Sequence, residues 1–335
     1  AELIGLKNVN KGVKVQFAEE KTDNSLTTGK GTFGTVPDKN YGLDPTKHSG
    51  KVPYWEKHLQ YADSYYRAAS GGKLAIKTKV FPIYTVKKQI IDYNRTSKMD
   101  GEKTAEFDEA RSRDYLTFVY DAVVAAAVAD TSDASPFRIP LSKNPNVKRA
   151  YMIVHAGASR LVDGGSMGTD NADTPGDFMD VYISRDAWEY LKPDSAKNAD
   201  VKPAFGINDK GDSVVNGLLI HGSVLDTLRS IMVVSETASQ DGLNWGVNGI
   251  VVNQIGRELG LPNTYDVVKG ISRLGYFDGM DFAGYNAGNG FLPSLPAAWE
   301  RAYMGWSQVK EVRPTAGKSV TVDIAAAGSG LGTEI

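Results

Sequence analysis

Between Ala150 and His155 the chain runs Tyr-Met-Ile-Val without a polar interruption. A run so short and so uniformly apolar fits a buried strand, and a strand of that kind needs helices packed on its sheet. Asp114 to Ala129 supplies one. Asp114 stands near its start, and Leu116, Val119, Tyr120, Val123, Val124 and Ala127 line one side. Gly217 to Ile220 and Ile231 to Ser235 read as further strands, and Lys7 to Ala18 alternates around Val13, Val15 and Phe17. Lys51 to Ala69 carries Tyr54, Trp55, Tyr61, Tyr65 and Tyr66 at near-helical spacing, Gly71-Gly72 stops it, and Lys73 to Phe81 resumes a strand pattern. Gly249 to Leu259 reads as a helix closed by Gly260 with Pro262 beyond it, and Pro296 to Met304 as another. Glu19 to Ser49, rich in Gly, Thr, Asp, Asn and Lys, reads as a long surface loop. The pattern predicts an α/β (α+β) fold over 1–312. After Pro314 the alternation of Val320, Val322 and Ile324 predicts that 313–335 begins a β-rich segment.

Charge and composition remove several function classes. The 38 basic and 40 acidic residues leave a formal charge of -2 with no long run of either sign, which argues against nucleic acid or an anionic membrane as the main partner. The longest strongly apolar stretch, Ala122 to Ala129 between Asp121 and Asp130, is far short of the roughly 20 residues a membrane-spanning helix needs. With no cysteine in 335 residues, disulfides, thiolate metal sites and a cysteine nucleophile are all closed. The start at Ala1, without a basic-then-apolar leader, fits a mature exported product and fits equally a chain cut from a longer one.

The helix at 249–259 leads into an informative stretch, Asn253-Gln254-Ile255-Gly256-Arg257-Glu258-Leu259-Gly260-Leu261-Pro262-Asn263, followed by Thr264-Tyr265-Asp266. Zinc peptidases of the H-E-x-x-H kind place two His one helical turn apart on one metal, with a Glu between them as general base for the bound water. The frame of Gly256, Leu259 to Pro262, Tyr265 and Asp266 resembles the H-E-F-G-H-x-L-G-L-P-D-x-Y-D stretch of the immune inhibitor A family of metallopeptidases. Further segments are similar to that family in the same order: Tyr65-Tyr66 with Ser70 to Leu74, Val154-His155-Ala156-Gly157, Phe277-Asp278-Gly279-Met280-Asp281 against its W-D-x-M turn, and Pro293 to Trp306 through Ala298, Trp299, Gly305 and Trp306. The resemblance implies a zincin-like fold with a twisted mixed sheet, a former active-site helix beneath a cleft, and 1–312 as a metallopeptidase-like domain. It puts His155, Asp278 and Met280 near that cleft.

The departures fall on the chemistry. Where the family has its zinc-binding His this chain has Asn253 and Arg257, the general-base position is Gln254, and the third-ligand position is Asn263. An amide is a poor zinc donor, Gln cannot take a proton from water, and a guanidinium repels a dication at bonding distance. The expectation is therefore no zinc and no catalytic residues, with Arg257 standing in for the metal by holding carboxylate or carbonyl oxygens.

Other constellations are weaker. His48, His58, His155 and His221 contain no pair at i, i+4, and His155, after a buried strand, reads as a hydrogen-bonded structural residue. Asp170, Asn171, Asp173, Asp177 and Asp180 crowd a Gly-rich loop and offer the oxygen donors calcium prefers; a solvated acidic loop with Asx-turns is the even alternative. Asp278 and Asp281 read as turn residues. Tyr61, Tyr65, Tyr66, Trp299, Tyr303 and Trp306 read as core more readily than as a carbohydrate or peptide platform. Ser159, Ser166 and Ser235 lie in no G-x-S-x-G elbow.

A scaffold that keeps its frame while its catalytic positions change is expected to serve something other than bond cleavage. The expectation is a secreted or cell-surface structural module that assembles through protein contacts. A non-cleaving peptide binder using an edge strand at Ile231 to Glu236 is the alternative, and a residual zinc peptidase the third.

Overall fold

A computed structural model gives the fold and describes residues 8–16, 52–93, 105–129, 148–159, 178–184, 218–219, 227–238, 245–266, 269, 271–281, 290–323 and 333–334. The described residues form a mixed α/β protein. Its centre is a five-stranded sheet ordered β2-β1-β3-β7-β4, built from β1 (Asn8–Gln16), β2 (Val80–Thr85), β3 (Arg149–Ala158), β4 (Val181–Ile183) and β7 (Ile231–Thr237). The first four in that order run parallel, and β4 closes one side antiparallel to β7. Two short pairs stand apart, β5 (Leu218–Leu219) with β6 (Thr227–Leu228) and β8 (Gln308–Val309) with β9 (Thr333–Glu334).

Alternation along the strands divides the core into two layers. Tyr151 and Ile153 of β3, Val181 and Ile183 of β4, and Ile231 and Val233 of β7 face one layer. There they meet α3 (Ala105–Ala129) through Leu116, Phe118, Val119, Ala122, Val123 and Ala126, and the one-turn α2 (Ile90–Tyr93) through Ile90 and Tyr93. Met152 and Val154 of β3, Tyr182 of β4, and Met232 and Val234 of β7 face the other. That side is covered by α1 (Val52–Ala69) and α4 (Val247–Leu259).

The helices follow their sequence signals. In α1 the residues Trp55, Leu59, Ala62, Tyr66 and Ala69 recur every three or four positions and are buried. Beyond it Gly71 and Gly72 take positive φ, and the Gly72 N–H returns to the Arg67 carbonyl at 2.8 Å. In α4 the Gly260 φ of 101° allows a Schellman closure, with Leu261 N–H on the Gly256 carbonyl at 2.9 Å and Gly260 N–H on that of Arg257 at 3.1 Å. The α3 helix begins nine residues before the expected Asp114, because Ala105 to Arg113 holds good helix formers and no Gly or Pro.

Two expectations are corrected. Ile231 to Glu236 is not an edge strand: β7 lies between β3 and β4 and is buried throughout, as its unbroken apolar start requires. Among the described residues the edge beside it is β4. Residues 73–79 lack strand structure, so that strand begins at Val80. Of the segment 313–335, residues 313–323 hold no strand, Thr333–Glu334 pairs in parallel with Gln308–Val309, and 324–332 lie outside the described residues. The loop at 19–49, His48 and His221 lie outside the described residues.

Candidate functional site

The positions of interest lie on α4, against the turn that contains Met280. Tyr66 of α1 holds the helix by donating its hydroxyl to the Val252 carbonyl at 2.5 Å. Gly256 lets the turn approach: a Cβ there would lie 2.5 Å from the Met280 sulfur and 2.6 Å from the Tyr66 hydroxyl. Met280 is fully buried beneath the helix. Asn253, also buried, donates its side-chain N–H to the Gly279 carbonyl at 3.3 Å, so the amide ties helix to turn.

Acidic residues organise the turn. Asp278 is buried, and its carboxylate accepts from the Thr264 hydroxyl at 2.6 Å, the Met280 N–H at 2.9 Å and the Ala297 N–H at 3.3 Å. One Asp281 oxygen accepts from the Ser272 hydroxyl and the N–H groups of Arg273, Leu274 and Gly275, at 2.5 to 3.0 Å. Both are the hydrogen-bonding turn residues that their neighbours Gly279 and Met280 call for. Beyond them α5 (Ala298–Tyr303) turns Glu300 inward, where it accepts the Ala297 N–H at 2.9 Å and faces Asp278. Burial first, and then the Asp278 carboxyl, push Glu300 up to about 8.

On the sheet side of α4, the half-buried Arg257 lies over the Tyr182 ring of β4, 5.8 Å from its centroid. Burial pushes the guanidinium below its usual range. It stands in no ion pair with a carboxylate among the described residues; Glu258, its buried neighbour, is instead met by Lys148 at 2.9 Å. Gln254 is buried, and its side-chain carbonyl oxygen has no hydrogen-bond partner among the described residues. Asn263 is half-buried just past the helix.

His155 belongs to the opposite layer from α4. Its ring packs on Phe178 at 5.5 Å and near Phe118 at 6.3 Å on the α3 side, with Nδ1 2.8 Å from the Ala156 carbonyl. Burial lowers it to about 4, so it is neutral at ordinary pH. Adjacency in sequence to a cleft segment cannot say which face of a strand a residue takes; that is set by parity along β3. Of the acidic-loop residues, Asp170, Asn171, Asp173 and Asp177 lie outside the described residues. Asp180 is buried, accepting from the Ser159 hydroxyl at 2.5 Å and from the Ser235 N–H and hydroxyl at 2.6 and 3.1 Å, a clamp between strand ends. Among the described residues no group of three or more His, Cys, Asp or Glu is arranged to hold a metal.

Sequence reading missed Tyr182, Lys148, Glu258 and Glu300. Glu300 was legible in principle, as the third residue of a helix whose first N–H groups need an acceptor. The same helix corrects an expectation about aromatics: Trp299 and Tyr303 are 51% and 72% exposed, while Trp306, Tyr65 and Tyr66 are buried. Turning Glu300 and Arg301 inward forces the aromatic face of α5 outward. Tyr276 and Phe277, in a 3₁₀ turn leading to Asp278, are 71% and 86% exposed.

These features define a mixed α/β domain in which one helix, one turn and one antiparallel edge strand meet. No protein-family model matches the chain, and no curated protein matches it. Tested against zinc, the positions on and just past α4 do not fit: Asn253, Arg257 and Asn263 offer two amides and a cation, and Gln254 is no base.

Proposed function

We propose that this chain is a catalytically inactive relative of the immune inhibitor A metallopeptidases, zincin-like in fold, secreted or held at a cell surface, and used as a structural module that assembles through protein contacts. The mixed sheet with its antiparallel edge, a helix seated on a Met turn through Gly256, and the residue types at 253, 254, 257 and 263 support the inactive-relative reading. The assembly reading is carried by one observation: large aromatic side chains, Tyr276, Phe277, Trp299 and Tyr303, are exposed on two segments that Asp278 joins through the Ala297 N–H. Exposed aromatics of this size are enriched where protein surfaces bury one another.

Negative-stain imaging and size-exclusion chromatography test it. Large regular particles are expected from the native chain, and smaller ones from Trp299→Ser/Tyr303→Ser; a native chain that stays monomeric at high concentration overturns assembly. Chelator-sensitive cleavage of casein would overturn the inactive reading.

A second reading has its own support. The outer side of β4 is unpaired among the described residues, and Arg257 of α4 lies 5.8 Å from the ring centroid of its Tyr182. A peptide added to such an edge is held without being cut.

A further inference from the structure

The short helix α5 is tied to the Met280 turn by two carboxyls that meet on one donor. The Ala297 N–H, just ahead of α5, gives to Glu300 Oε2 at 2.9 Å and to Asp278 Oδ1 at 3.3 Å. Asp278 is anchored in addition by the Thr264 hydroxyl at 2.6 Å and the Met280 N–H at 2.9 Å. Glu300 is fully buried on the first turn of α5, within side-chain hydrogen-bonding reach of Asp278, and its Oε1 has no donor among the described residues. An ionised carboxylate can only accept, so a buried Oε1 without a donor is unfavourable; a protonated carboxyl donates, and Asp278 is the acceptor beside it. Among the described residues the ionisable groups facing Glu300 are Asp278 of the turn, Tyr65 and Tyr66 of α1, and Arg301 of its own helix. The two tyrosine hydroxyls are given to the Ser294 and Val252 carbonyls, and the Arg301 guanidinium donates to that of Pro296. Burial first, and then the Asp278 carboxyl, keep Glu300 protonated up to about 8. The other end of α5 is fastened separately: Lys73 Nζ donates to the Gly305 and Trp306 carbonyls at 2.8 and 2.9 Å, and the buried Trp306 ring meets that of Tyr66 edge-on at 6.0 Å.

We propose that Asp278 and Glu300 form a proton-operated clasp: the neutral Glu300 carboxyl holds the first turn of α5 against the Met280 turn, and loss of its proton to solvent releases that first turn. Asp278 keeps its donors from Thr264 and Met280 and stays in place. Glu300, whose bonded donor lies just ahead of its own helix, is the partner that moves, and Trp299 beside it moves with it. The Lys73 fastening makes the far end of α5 the hinge. Trp299 is one of the exposed aromatics of the assembly reading, so mild alkali takes that face apart. This consequence rests on the assembly reading; the clasp itself does not.

The chain has no cysteine, so Trp299→Cys gives a single attachment point for a nitroxide on that turn, read by electron paramagnetic resonance on the whole chain at high dilution. The mobile fraction of the label is expected to rise about tenfold between pH 7 and pH 9, with far-UV circular dichroism unchanged, as a carboxyl titrating near 8 requires. With Glu300→Gln added, whose amide is neutral at every pH and still donates to Asp278, the label is expected to stay immobile throughout. Should that variant not fold, Asp278→Asn takes its place: without the neighbouring charge the midpoint is expected to fall by about one pH unit or more. A label equally mobile at pH 7 and pH 9, a rise that persists in Glu300→Gln, or a midpoint unmoved by Asp278→Asn overturns the clasp. Light scattering of the unlabelled native chain keeps the two readings apart. Particles at pH 7 that shrink at pH 9 support both, particles that do not shrink although the label is freed overturn the link between them, and a freed label with no particles at either pH overturns assembly and leaves the clasp standing.

Discussion

Met280 and Gly256 are in mutual contact so close that the helix has no room for even one methyl group between them: a Cβ added at position 256 would meet the Met280 sulfur at 2.5 Å. The turn at 278–281 and helix α4 are thereby one packing unit, pinned again by the Asn253 bond to Gly279.

Gly256→Ala is expected to destabilise the fold by about 2 kcal/mol through overpacking, although alanine is the better helix former. Urea denaturation measures it. Pairing the change with Met280→Ala is expected to recover part of the loss, and full stability of the single variant would contradict the close contact.

Lys148→Met leaves the buried Glu258 carboxylate without its cation, and with Lys148 itself half-exposed the expected cost is about 2–3 kcal/mol. Lys148→Met/Glu258→Gln is expected to be more stable than Lys148→Met alone. A double-mutant cycle with no coupling would rule out the pair.

His155 and Glu300 act on stability with opposite signs. The folded His155 titrates near 4 against 6.5 for the free side chain, so the unfolded chain binds more protons between those values and stability falls as pH drops through that window, by about 3 kcal/mol in all. Glu300 titrates near 8 against 4.5, so its stabilisation is complete below 4.5 and is lost as pH rises to 8. The two slopes cancel between 4.5 and 6.5, and Glu300 alone gives a decline above 6.5. Urea midpoints across pH 4 to 9 are expected to show a plateau and then a fall, and Glu300→Gln to flatten the fall; an unchanged slope in that variant would exclude Glu300 as its source.

Tyr66→Phe removes the hydroxyl that reaches the Val252 carbonyl inside α4 while keeping the ring, and is expected to destabilise by about 1 kcal/mol. The same denaturation series measures it, and a neutral result would mean the carbonyl is satisfied by the helix alone.

Local patterns in the chain determined its local structure. The spacing of Trp55, Leu59, Ala62, Tyr66 and Ala69 specifies α1, the Gly260 and Pro262 pair closes α4, and the apolar run at 151–154 specifies a strand, because each depends on residues a few positions apart. The residue types at 253, 254, 257 and 263 are likewise read without any coordinates, and the proposal of an inactive relative rests on them. Tertiary structure alone decided that β7 is interior and β4 the edge, that His155 turns toward α3, that α5 hides Glu300 and exposes Trp299, and that Lys148 answers Glu258 while Arg257 is left to Tyr182. Those outcomes join residues from about 50 to 110 positions apart or turn on the parity of one residue, and no local rule of spacing or propensity reaches across such a gap.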